Sequence, residues 1–186
     1  MRILTFSLFF VIASVANAAA PNNPTVADQF VNAQVGELRF VLRKLGSKPF
    51  RVWRQTPAEI SVLNAKGVLL QKLPVKVEIA SPTFTFIDLN DDGYIDVLLY
   101  DACAGLPLCN GPTRSADVFL FTPKLGRFVK SKTLSNRGDI SKSKATGCVA
   151  VNYENFASEF VDEEWCFDAG TGGWKITSSS GGETKN

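Results

Sequence analysis

The chain has 186 residues, with 20 Lys and Arg against 18 Asp and Glu, a formal charge of +2, and no histidine. So even a balance makes no electrostatic case for nucleic acid or for an anionic membrane surface as partner. The missing histidine removes the commonest general base and the commonest zinc ligand together.

Residues 1–18 read as a signal peptide. Met1-Arg2 is a short basic start, Ile3 to Val15 is almost wholly apolar, and Ala16-Asn17-Ala18 is a small-residue cleavage site. The apolar run is too short to span a bilayer comfortably, and no cysteine follows it to take a lipid, so no membrane anchor is expected. The expected location is periplasmic or secreted. Beyond the leader, 19 basic and 18 acidic residues remain in a chain of one-domain length.

Residues 19–36 look like a loose N-terminal leader, with a short amphipathic helix around Val26–Val35. From Glu37 the apolar period becomes two, and Leu38, Phe40 and Leu42 share a face opposite Arg39 and Arg43. The pattern predicts strands at Phe50–Arg54, Glu59–Leu63, Val68–Leu73 and Val75–Ile79, with a turn at Asn64-Ala65-Lys66-Gly67. Further strands are expected at Thr83–Leu89, Tyr94–Tyr100, Ala116–Thr122, Arg127–Lys130, Gly147–Glu154, Glu159–Phe167 and Trp174–Thr177. Short strands at close spacing, punctuated by Gly, Asn and Pro, predict an all-β domain over 37–177 built as an antiparallel meander. The Ser- and Gly-rich residues 178–186 read as a disordered tail.

Four cysteines in an exported chain predict two disulfides. Cys103 and Cys109 bracket a short loop. Pairing Cys148 with Cys166 sets Ala150 against Glu164 and Asn152 against Asp162, with a hairpin turn at Asn155–Ser158. Three pairings are formally open to four cysteines, and local geometry favours this one.

One motif carries chemistry. Asp88-Leu89-Asn90-Asp91-Asp92-Gly93-Tyr94-Ile95-Asp96 puts oxygen side chains at positions one, three, five and nine, with glycine at six. Calcium takes six to eight oxygen donors, which a tight loop delivers from alternate residues and a backbone carbonyl. The expected ligands are the side chains of Asp88, Asn90, Asp92 and Asp96 and the carbonyl of Tyr94, with Asp91 pointing outward. Asp, Asn and Gly are also ordinary turn residues, but alternating carboxylates repel one another without a cation. Strand-like flanks, and Leu99 at position twelve where a bidentate Glu is needed, exclude a helix–loop–helix hand.

The order of features resembles a known family. Glu59–Gln71 looks like its first hairpin. The Asp88–Asp96 loop follows, then a Gly/Asn-rich loop around Gly105–Gly111, then Asp117–Val129 and Thr133–Asn136. The run over about residues 55–177 is similar to the periplasmic I-type lysozyme inhibitors and to the immunity proteins of bacteria-killing type IV secretion systems. The resemblance implies an incomplete, propeller-like β fold with bound calcium, and binding to a lysozyme-like peptidoglycan hydrolase as inhibitor or immunity protein. It makes Cys103–Ser115 the candidate contact loop, with Gly105, Leu106, Leu108, Asn110 and Arg114 as its partner-binding residues. The chain departs from the family by lacking a recognisable serine–glycine–tyrosine loop, and by holding Asp117 where an aromatic is expected before Val118-Phe119.

No enzyme is expected. Asp162 and Glu164 share a strand face with Cys166, but exposed strand carboxylates are the common case, and no nucleophile has a base motif beside it. The alternative function is a calcium-dependent adhesion or carbohydrate-binding module of the propeller-repeat type. Arg137-Gly138-Asp139 invites a receptor-binding reading, yet Gly-Asp is ordinary turn chemistry.

Overall fold

A computed structural model describes residues 25–46, 56–77, 82–101, 115–154 and 159–181. Among the described residues strand dominates, and the one helical element is a single short 3-10 turn. Sheet one orders β1 (Thr25–Ala33), β2 (Gly36–Lys44), β3 (Thr56–Asn64) and β4 (Leu69–Val77). Sheet two orders β5 (Thr83–Ile87), β6 (Asp96–Asp101), β7 (Ser115–Thr122) and β8 (Arg127–Lys130). Sheet three orders β9 (Asp139–Lys142), β10 (Cys148–Glu154), β11 (Phe160–Asp168) and β12 (Gly173–Gly181). Every pairing is antiparallel between chain neighbours, so the expected meander is present three times over.

Packing explains the two kinds of apolar pattern. In sheet one Leu38, Phe40 and Leu42, Ile60 and Val62, and Leu73, Val75 and Val77 recur at every second position and bury one shared face. That face meets Phe84, Val97, Leu99, Phe119, Phe121 and Phe128 of sheet two. The other face of sheet two sends Leu98, Tyr100, Ala116 and Val118 against Ile140, Val149, Val151, Trp165 and Trp174 of sheet three. Sheet two is therefore the middle layer. Burial on both faces is why Val97-Leu98-Leu99-Tyr100 reads as an unbroken apolar run.

Phe40 anchors the first interface. It is fully buried, with ring centroids 5.1 Å from Phe86 and 5.5 Å from Phe128. Burying one such side chain contributes about 1.5–3 kcal/mol. Pro74 is tolerated because β4 is an edge strand, where a missing N–H costs no ladder bond.

Several expectations hold in detail. Asn64 Oδ1 accepts the Lys66 and Val68 N–H groups at 3.0 Å each, and Gly67 takes φ +76°, closing the predicted β3–β4 turn. Cys148 pairs with Cys166, Ala150 with Glu164 and Asn152 with Asp162. The two cysteines are disulfide-bonded, with Cα atoms 4.0 Å apart. Such a short separation suits a cross-strand pair that exchanges no backbone hydrogen bonds.

Others need correction. Thr25–Ala33 is a strand, with neither the helix nor the loose leader expected there. It pairs along its length with β2, and the Asp28 carboxylate bonds the Arg39 guanidinium, which holds that carboxyl below its usual range. The last strand continues through Ser178–Gly181, since its backbone pairs with β11 whatever its side chains are. Leu69–Val77 is one strand rather than two, bulged opposite Val62/Leu63. The short β9 was not expected at all. The predicted signal peptide, the Phe50–Arg54 strand, the Asn155–Ser158 turn, Ile79 and the Cys103–Cys109 loop lie outside the described residues.

Candidate calcium loop

The loop from Asp88 to Asp96 leaves the end of β5 and enters β6. Leu89 is fully buried in the core between sheets two and three, pinning the start of the loop. Asp88 then organises the turn. Its Oδ1 accepts the Asp92 N–H at 3.2 Å and its Oδ2 the Gly93 N–H at 2.9 Å. Asp92 Oδ1 accepts the Tyr94 N–H at 2.9 Å, and its Oδ2 accepts the Asn90 side-chain amide at 3.1 Å. Gly93 at φ +83° supplies the left-handed turn that a side chain would strain.

Asp96 is fully buried. Its Oδ2 accepts the Leu89 N–H at 3.0 Å and its Oδ1 the Phe121 N–H at 2.8 Å, so the carboxylate joins β6 to β7. Burial pushes its pKa up to about 7. The two N–H bonds oppose that rise, and the charges of Asp92 and Asp88 add to it. Two neighbouring carboxylates thus raise the cost of ionising the innermost.

The donor chemistry fits a hard cation. Asn90 Oδ1 is buried and has no hydrogen-bond partner among the described residues, and such an oxygen costs about 1–3 kcal/mol when left unsatisfied. Each carboxylate oxygen named above accepts one N–H and keeps a second lone pair. Among the described residues no three His, Cys, Asp or Glu side chains form a ready-made metal cluster. The case for the loop therefore rests on a mixed donor set that includes an amide oxygen and a backbone carbonyl.

The surroundings were not legible beforehand. Ile95 N–H donates to Gln34 Oε1 at 2.9 Å, tying the loop to the β1–β2 turn of sheet one. Asp91, expected to point away, adopts φ +56° and holds Lys142 of β9 and the Gly147 N–H before β10. Those contacts keep the Asp91 carboxyl below its usual range, with Lys142 the larger cause. One loop therefore clasps all three sheets. An Asp beside an Asp-Gly pair is the sequence signal for that turn, and it does not name the partners.

The other sequence candidates resolve into structural roles. Asp162 bonds Asn152, and Glu164 bonds Ser143 and Thr177, all on the outer side of sheet three. Glu163 faces inward, accepting from Trp165 Nε1 at 2.8 Å and Tyr153 Oη at 2.9 Å, with Arg137 at 3.6 Å. Asp117 is buried and ion-paired with Lys130 at 2.6 Å. The candidate contact residues Gly105, Leu106, Leu108, Asn110 and Arg114 lie outside the described residues.

At the same end, the β11–β12 turn carries a pH-dependent element. Lys175, then the Gly170 and Thr171 N–H groups, hold the Asp168 carboxyl down to about 2. A pKa depressed by folding stabilises the fold above the unfolded value and is lost as pH falls through the folded one. The contribution of Asp168 should therefore disappear between about pH 4 and pH 2. Melting curves of Asp168→Asn should run below wild type at pH 6 and converge with it at pH 2. A constant offset at both pH values would contradict this assignment.

A groove of about 470 Å³ opens beside the Asp88–Asp96 loop, lined by Asn90 and Asp92, by Phe121 and Lys130, and by Phe167 and Trp174 of sheet three. Comparison with protein-family models, with curated proteins and with solved structures found no match to this chain.

Proposed function

We propose that this is an exported, non-enzymatic, calcium-binding protein that binds and blocks a lysozyme-like peptidoglycan hydrolase, as inhibitor or immunity protein. The calcium half is carried by one observation, the buried and unpartnered Asn90 oxygen inside a loop of oxygen donors. Asp88, Asn90, Asp92 and Asp96 would hold the ion with their side chains, and Tyr94 with its carbonyl. Calcium would supply the positive charge that offsets the loop carboxylates. The residues around it already do the positioning, because Gln34, Phe121, Lys142 and Gly147 fix the loop from three sheets.

The propeller-like reading is supported by three four-stranded meanders stacked face to face in chain order. Binding to a hydrolase rests on the order of sequence features, with Cys103–Ser115 as the contact loop. A loop closed by a small disulfide would lose little entropy on entering a cleft. The carbohydrate-module alternative is favoured by the groove beside the loop, where Phe167 and Trp174 stand next to polar side chains.

The deciding experiment measures peptidoglycan hydrolysis by several lysozymes with and without the purified protein. Stoichiometric inhibition is expected. Replacing residues 105–108 by Gly-Ser should abolish it without changing the melting temperature. No inhibition by the intact protein, together with saturable binding of soluble glycans, would overturn the inhibitor reading in favour of the module.

A further inference from the structure

Each meander has its two hairpin turns at one end, and contacts between turns show that these ends coincide. Gln34 of the β1–β2 turn bonds Ile95 of the calcium loop, and Asp91 of that loop bonds Lys142 and Gly147 around the β9–β10 turn. Gln71, just after the β3–β4 turn, clasps the Phe128 backbone just after the β7–β8 turn, with bonds of 2.8 and 2.9 Å. One end of the molecule is thus a platform of hairpin tips.

That platform is aliphatic where sheets one and two meet. Val68, Leu69 and Leu70 at the β3–β4 tip are 55%, 46% and 56% exposed, and Leu125 at the β7–β8 tip is 57% exposed. The Gln71–Phe128 clasp makes these two tips neighbours. Consecutive exposed leucines are costly in water and call for an occupant. The flanking charge is of one sign. Residues 64–72 and 122–129 contain Lys66, Lys72, Lys124 and Arg127 and no Asp or Glu. Lys72 is paired with Glu59, whereas Lys66, Lys124 and Arg127 make no ion pair among the described residues.

Three occupants compete. Protein interfaces favour aromatic and Arg anchors in a flat or concave patch and are poor in Lys, while Leu and Val are scarce among their hot spots. Here the residues are aliphatic and lysine-flanked, and they sit on projecting turns. A second copy of the chain would bring like-charged rims together. An anionic bilayer fits both features, because its interior accepts aliphatic tips and its headgroups attract the cations around them. We propose that the Val68–Leu70 and Leu125 tips, with Lys66, Lys124 and Arg127, form a peripheral docking surface for an anionic phospholipid bilayer. The near-neutral total charge conceals this surface, because neither hairpin stretch contains an acidic residue. At the same end, Asp91 is tied to Lys142 and Asp96 is buried, so Asp88 and Asp92 are the loop carboxylates with access to solvent.

The test is co-sedimentation of the purified protein with phosphatidylcholine vesicles, with and without about one-third phosphatidylglycerol. Partition onto the anionic vesicles alone is expected, falling steeply as salt is raised to about 0.5 M. Leu69→Ser with Leu70→Ser and Leu125→Ser should cut the partition coefficient by roughly tenfold or more. Lys124→Glu with Arg127→Glu should do the same, since each cation is worth about fivefold at such a surface. All five positions are exposed, so melting temperatures should stay near wild type. The salt dependence of the unaltered protein carries the test should a variant fold poorly. Absence of vesicle binding, equal binding to neutral vesicles, or a dimer that the leucine variant abolishes would each overturn the assignment.

Discussion

Chelating calcium is expected to lower the thermal midpoint of the protein by about 5–10 °C. A ligand at roughly a hundred times its dissociation constant stabilises the folded state by about 2.7 kcal/mol. In a domain of this size each kcal/mol shifts the midpoint by about 2–4 °C. Extracellular calcium sites bind at about 0.1–1 mM, so saturation needs tens of millimolar. Asn90→Ala separates the ion from the loop's own hydrogen bonds. The Asn90 oxygen has no hydrogen-bond partner among the described residues, and its amide makes one exposed contact with Asp92. In chelator this variant should melt within about 2 °C of wild type, and in calcium it should lose most of the added stability. Identical midpoints in calcium and chelator for the wild type would remove the ion from the account. The clasp by Gln34, Lys142 and Gly147 would then stand as the loop's whole purpose.

Gly138→Ala is expected to be the most damaging single methyl in the described part of the chain, at about 3 kcal/mol or more. Gly138 is buried at φ +156°, against the backbone of β10. A Cβ there would penetrate the Asn152 carbonyl oxygen and lie 2.9 Å from Tyr153 Cβ and 3.1 Å from the Asn152 carbonyl carbon. Backbone cannot swing aside as a flexible side chain can, so sheet three would have to move. Arg137 is also engaged, its guanidinium 4.3 Å from the Trp165 ring centroid and its Nε donating to the Thr133 carbonyl at 2.6 Å. Arg137-Gly138-Asp139 is therefore accounted for as a packed corner leading into β9. Thermal melts should rank Gly138→Ala well below Arg137→Ala, with the exposed Asp139→Ala within about 0.5 kcal/mol of wild type. A near-neutral Gly138→Ala would mean that this corner is loose enough to serve as a displayed loop.

Much of the architecture was readable from pattern alone, and the failures share a cause. Strands that bury one face, such as Ala58–Val62 and Leu73–Val77, announce themselves by alternation, and those that bury two, such as Val97–Tyr100, by an unbroken apolar run. Strand β1 buries little: Asp28, Gln29, Phe30 and Asn32 are exposed, Val26, Ala27, Val31 and Ala33 are only partly buried against the core, and backbone pairing with β2 runs along its length. Ser178–Ser180 extend β12 for the same reason, through ladder bonds to Asp162–Glu164 that no side chain advertises. Periodicity reports burial, so an edge strand that buries little and leans on its backbone ladder stays nearly silent. The four residues of β9 are too few to show a period at all.

The Asp88–Asp96 loop divides along the same line. The spacing of Asp88, Asn90, Asp92 and Asp96 around Gly93 is local, since it concerns which oxygens one turn brings together, and the sequence determined it unaided. So too did the Cys148–Cys166 register, because a hairpin carries its own alignment through side-chain alternation. Only the tertiary structure decided that Asp91 reaches Lys142 and Gly147, that Asp96 binds the Phe121 N–H, and that Gln34 closes the third side. Those partners are 51, 56, 25 and 61 residues away along the chain. Contacts at such separation depend on how three sheets stack, and stacking is set by the summed burial of two apolar interfaces rather than by any residue near the loop.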